Sequence, residues 1–125
     1  MKLKKNIPLI DQHDKYGFWG GKFGGSYIPE TLKKPVEDLN ILFEKLRKDK
    51  NFIKERDYYF KNWINTPTPF IKLENITKHL GGAQIWAKVV SELNGGAHKI
   101  LNSTVHCLIA KRAGKKYIVG DTGAG

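Results

Sequence analysis

Cysteine is nearly absent: Cys107 stands alone in 125 residues, so the chain can form no internal disulfide and no cysteine-built metal cluster. No metal site is expected, and a reducing, cytoplasmic setting suits the chain. Arginine is also scarce, with Arg47, Arg56 and Arg112 the only three among 22 basic residues. The formal charge of +10 is therefore mostly lysine, spread along the whole length. Arginine is the residue that reads phosphates and base edges with a bidentate fork, so this charge points to a solvated lysine surface more than to nucleic acid. No apolar run is long enough to span a bilayer, which argues against a membrane partner. The first ten residues are basic, but Pro8 and then Asp11 interrupt them before a signal-peptide core can form.

What is present suits a folded chain. Hydrophobic residues make up 40% and aromatics 11%, and the length allows one domain with a modest core. Residues 1–30 hold Gly17, Gly20, Gly21, Gly24 and Gly25 among aromatics, a texture that excludes helix and predicts an ordered arm. From Thr31, a possible helix cap, Val36, Leu39, Leu42, Phe43 and Leu46 recur at helical spacing, and a second helix is predicted from about Asn51 to Trp63. Thr66-Pro-Thr-Pro69 ends it, because proline removes a backbone donor and restricts the residue before it.

Beyond this break the pattern alternates. Glu74 to Leu80 reads as a short helix closed by Gly81-Gly82, and Ala83 to Val89 as a strand. Ala97 to Ala113 reads as a deeply packed helix ended by Gly114, and Lys115 to Gly120 as a second strand. Residues 83–120 are thus expected to form a βαβ unit with a parallel strand pair. The fold class is α/β, organised as an arm over 1–30 and one incomplete domain over 31–125.

On that framework, Lys99 falls in the first turn of a helix, behind the glycine pair Gly95-Gly96. Glycine allows close backbone approach to a ligand, and unpaired amides at a helix start favour an anion. The loop Asp121-Thr-Gly-Ala-Gly125 would leave the carboxyl end of the second strand, the edge where open α/β sheets bind ligands. Lys99 and Asp121 are then expected to face one crevice. A lysine of depressed pKa is a Schiff-base former, and a neighbouring carboxylate can move protons on a substrate. Each residue taken singly also has a plain explanation. Lys99 suits a solvated helix start, His98 an ordinary polar helix position, Asp121 a turn acceptor, and Gly123 and Gly125 the turn itself.

Four motifs together are more specific. Lys22-Phe-Gly-Gly-Ser-Tyr-Ile-Pro-Glu-Thr-Leu32 resembles the F-G-G-x-Y-V-P-E-T-L arm of the tryptophan synthase beta chain family, and Thr66-Pro-Thr-Pro-Phe70 resembles its P-T-P-L turn. Leu80-Gly-Gly-Ala-Gln-Ile-Trp86 resembles the family's approach to a strand. Gly96-Ala-His-Lys-Ile100 and Asp121-Thr-Gly-Ala-Gly125 resemble its cofactor lysine and substrate loop. Order and spacing agree from about Lys22 onward.

The resemblance implies the amino-terminal part of a fold type II pyridoxal 5'-phosphate enzyme, a lyase of tryptophan biosynthesis that converts L-serine and indole to L-tryptophan. It implies Lys99 as the residue that binds the cofactor and removes the α-proton of serine, and His98 as its neighbour at the cofactor. Asp121 matches the acid–base group, and Thr122, Gly123, Ala124 and Gly125 match the loop whose amides hold the substrate carboxylate. Relatives form beta-chain homodimers and pair with an alpha chain that supplies indole.

Departures accompany the match. Asp121 replaces a glutamate, about 1.5 Å longer in reach, and a displacement of about 1 Å costs on the order of a hundredfold in rate. The family's K-R-E-D-L-N-H-T is here Lys88-Val-Val-Ser-Glu-Leu-Asn-Gly95. The phosphate cup and second domain of the family have no counterpart in these residues, so a truncated chain of little or no synthase activity is expected. Two other classes are weighed against it. One is a noncatalytic remnant serving as a basic binding module. The other is an aspartic protease, because Asp121-Thr-Gly-Ala follows the apolar Tyr117-Ile-Val119, although that reading requires a downstream β-rich segment absent here.

Overall fold

The computed structural model describes residues 6–123. In chain order its elements are β1 (Phe18–Trp19), β2 (Phe23–Gly24), α1 (Glu30–Leu46), α2 (Lys50–Asn62), β3 (Phe70–Lys72), α3 (Glu74–Leu80), β4 (Trp86–Lys88) and α4 (Lys99–Arg112), with 3-10 turns at Leu9–Asp11 and Val90–Glu92. The result is a mixed α/β chain with two small sheets, both antiparallel. It divides into two units between Glu37 and Asp38.

The first unit is ordered by its turn chemistry. Asp14 accepts from the backbone N–H groups of Tyr16 and Phe18 at 2.8 and 3.0 Å, which starts the β1–β2 hairpin. The register pairs Phe18 with Gly24 and Trp19 with Phe23. Gly24 has φ +97°, and a Cβ there would sit 2.5 Å from the Gly17 carbonyl oxygen, so only glycine fits this crossing. The expected glycine-rich arm is thus a short hairpin with a following segment.

The second unit owes its core to helices. Leu46 at the end of α1, Phe52 in α2, and Leu108 and Ile109 in α4 form a buried cluster, flanked by Leu42, Phe43, Tyr59 and Val105. Full burial of each such side chain contributes roughly 1.5–3 kcal/mol. Asp49 caps α2, accepting from the amides of Asn51 and Phe52 at 2.8 and 3.3 Å. Glu55 of α2 reaches Lys111 at 3.1 Å and also pairs with Arg112, tying α2 to the last turn of α4. The hydrogen bond from Lys111 holds the Glu55 carboxyl below the ordinary glutamate pKa, assisted by Arg112, while partial burial pushes the other way. The apolar stripe of α1 is used unevenly: Leu46 is buried, whereas Leu32, Val36 and Leu39 stay exposed.

The sheet of this unit differs from expectation. β4 pairs antiparallel with β3, in the register Phe70 to Lys88, Ile71 to Ala87 and Lys72 to Trp86. Phe70 stacks on Trp86, a diagonal neighbour on the same face, with ring centroids 5.1 Å apart and planes 20° apart. Between the two strands lies α3, closed by Gly81 at φ +63° with its N–H on the Thr77 carbonyl. The predicted second strand at 115–120 is irregular, so the expected parallel βαβ pair is absent among the described residues. A parallel strand needs a sheet with both faces covered. Here the run after Pro69 offers β4 a nearer partner, and Tyr117, Ile118 and Val119 remain exposed. No helix among the described residues is long and apolar enough to cross a membrane.

Candidate functional site

The segment that carries Lys99 is built from residues 90–101. Leu93 is buried and fixes its start, with its N–H on the Val90 carbonyl at 3.2 Å. Gly95 and Gly96 follow at φ +95° and +71°, a left-handed pair that side-chain-bearing residues adopt only with strain. The Gly96 N–H turns back to the Leu93 carbonyl at 2.8 Å. Lys99 then opens α4 as an exposed side chain, and the space beside Gly96 is open, with no atom within 4 Å of where a Cβ would lie. His98 occupies the cap position of α4, exposed and without a side-chain capping bond. The helix start therefore keeps amides whose partners are not side chains of its own cap.

Asp121 and Thr122 lie in the irregular segment after Gly114 and are exposed, as is Gly123. Asp121 accepts the Thr122 N–H at 2.9 Å, the local turn contact that aspartate commonly makes. No hydrogen bond or ion pair among the described residues joins Asp121 to Lys99 or His98. Ala124 and Gly125, also predicted to hold substrate, lie outside the described residues. A cleft of about 520 Å³ between α2 and α4 is lined by Tyr59, Trp63, Ser103, Thr104, Cys107, Leu108 and Lys111, and includes neither Lys99 nor Asp121. Lys99 thus follows its glycine pair closely at the start of α4, and Asp121 lies in the irregular segment beyond the end of that helix.

Sequence reading missed Asn65 and Asn94. Asn65 is the one non-glycine residue with positive φ among those described, at +71°, next to the cis Thr66–Pro67 peptide. Its side chain donates to the Glu92 carbonyl at 3.0 Å, and the Asn94 side chain donates to the Trp63 carbonyl at 3.1 Å. The sequence carried one signal for them: asparagine beside a proline turn and beside a glycine pair is the residue best suited to such backbone.

Comparison with known proteins bears on the whole segment. No protein-family model matches the chain. Over 105 residues, 84% of its length, it is 46% identical to the tryptophan synthase beta chains of two strains of Leptospira biflexa serovar Patoc. It spans 26% of the length of those relatives. An identity this high over most of the chain extends the four-motif resemblance to the residues between the motifs, and the chain belongs to the tryptophan synthase beta chain family.

Proposed function

We propose that this chain carries the cofactor-lysine segment of a pyridoxal-phosphate-dependent lyase that replaces the hydroxyl of L-serine with indole to give L-tryptophan. The observation that carries the reading is Lys99 as an exposed amine at the first residue of α4, behind two left-handed glycines, in a chain 46% identical to tryptophan synthase beta chains. These residues fit the cofactor at its point of attachment. The amine is accessible, the space beside Gly96 is open, and a helix start favours a phosphate. When bound, pyridoxal phosphate supplies an electron sink for the bonds at the amino-acid α-carbon.

The chain's own residues then have distinct tasks. Lys99 would hold the cofactor and take the α-proton on its amine, and His98 would stand beside it. Asp121 moves protons at the leaving and entering groups, while the amides of Thr122, Gly123, Ala124 and Gly125 bind the substrate carboxylate. Residues 31–125 form part of a fold type II domain preceded by the arm of residues 1–30. The protein works in the cytoplasm, in a beta-chain homodimer joined by an alpha chain. These 125 residues span 26% of the length of the relatives they match, and by themselves they bind cofactor but turn over little or no serine.

The test is to add pyridoxal phosphate to the purified chain, reduce with borohydride and map the modified lysines by mass spectrometry. Selective labelling of Lys99 among the 19 lysines supports the reading. Scattered labelling, or none, would count against it and favour a noncatalytic basic module.

A further inference from the structure

The loop ahead of Lys99 is braced from outside its own helix. Residues 63–65, just past α2, face residues 92–94, and three hydrogen bonds cross between them. The Asn65 side chain donates to the Glu92 carbonyl at 3.0 Å, the Asn94 side chain donates to the Trp63 carbonyl at 3.1 Å, and the Asn94 backbone N–H donates to the Ile64 carbonyl at 3.0 Å. Ile64 and Leu93 are both buried within these two short segments, so the polar brace lies beside apolar anchors. Beyond Asn94 the chain has two glycines before α4, and glycine is the residue with most freedom to lose. A lysine carried on such a hinge is held in one place only if the hinge is fixed at its base.

We propose that Asn65 and Asn94 are positioning residues that fix the base of the Gly95-Gly96 hinge and thereby the placement of Lys99. This rests on the reading of Lys99 as the cofactor lysine. Asn65 has a second role in the brace, because its left-handed backbone, at φ +71°, turns its side chain toward Glu92 while the chain leaves α2 for the Thr66–Pro67 turn.

Two variants separate the brace from general folding. Asn65→Gly keeps the left-handed backbone and removes the amide donor, and Asn94→Ala removes the other side-chain donor while leaving its backbone bond. Asn62→Ala is the control, since Asn62 donates to the Tyr58 carbonyl at 2.9 Å inside α2, away from the hinge. Amide hydrogen exchange at Asn94, Gly96 and Leu101 is read beside thermal melting and the borohydride mapping of Lys99. Exchange at these three amides should rise roughly fivefold for each hydrogen bond lost, with melting no lower than in the control. The share of label on Lys99 should fall while the other lysines keep theirs. Unchanged exchange, or exchange raised equally throughout α2 and α4, would overturn the proposal. If the unaltered chain shows no selective Lys99 labelling, the cofactor reading alone fails, and exchange at the three amides still decides whether the asparagines brace the hinge.

Discussion

Two apolar stretches close together in the sequence meet opposite fates. Leu108 and Ile109 of α4 are 6% and 8% exposed, whereas Tyr117 and Val119, a few residues on, are 87% and 94% exposed. Composition does not separate them, since both are rich in residues that favour burial. What separates them is a partner surface. Leu108 and Ile109 meet Phe52 and Leu46, and the Glu55 pairs with Lys111 and Arg112 hold the same helices together. The segment after Gly114 pairs with no strand among the described residues, and Tyr117, Ile118 and Val119 stay exposed. Hydrophobicity selects an interior only where geometry supplies one.

The contrast can be broken most forcefully in the core. Phe52→Ala should destabilise the chain by about 3–5 kcal/mol, a large part of the roughly 5–15 kcal/mol typical of a domain, as read by urea unfolding. A smaller effect is expected at the rim of the same contact. Because the Glu55 pKa is lowered in the folded chain, its contribution is present above the unfolded value of about 4.3 and is lost as pH falls through the lower folded value. Glu55→Gln should therefore lower the melting temperature near neutral pH and flatten its acid-side decline, and equal slopes for the two proteins between about pH 5 and pH 3 would contradict this. The smallest effect belongs to the unpartnered stretch. Val119→Ser should change stability by less than about 0.5 kcal/mol in the same urea experiment, and a loss near that of Phe52→Ala would mean that the segment is packed after all.

The same distinction explains which elements were legible in the sequence. The helix predicted from Glu74 to Leu80 is found with those ends, and the helices predicted from Thr31, Asn51 and Ala97 are found within two residues at their starts. Each rests on local signals: apolar spacing, the proline break at Thr66–Pro69 and the glycines that end α3 and α4. The strand predicted over Ala83–Val89 is found in its central part, Trp86–Lys88, but with another partner and the opposite direction. At the candidate site, Lys99 and its glycine pair were legible as a motif. The asparagine brace was not, because its bonds join residues 27 and 31 positions apart.

The sequence by itself determined the helices, the breaks between them and membership in the tryptophan synthase beta chain family, since a helix closes its hydrogen bonds four residues away and kinship is a property of residue order. Only the tertiary structure decided that β4 lies against β3, that Leu108 is covered and Val119 is not, and that Asn65 and Asn94 hold the base of the Lys99 loop. Sheet pairing, burial and such cross-bracing join residues distant in the chain, and which of several competing partners wins depends on surfaces that exist only after folding.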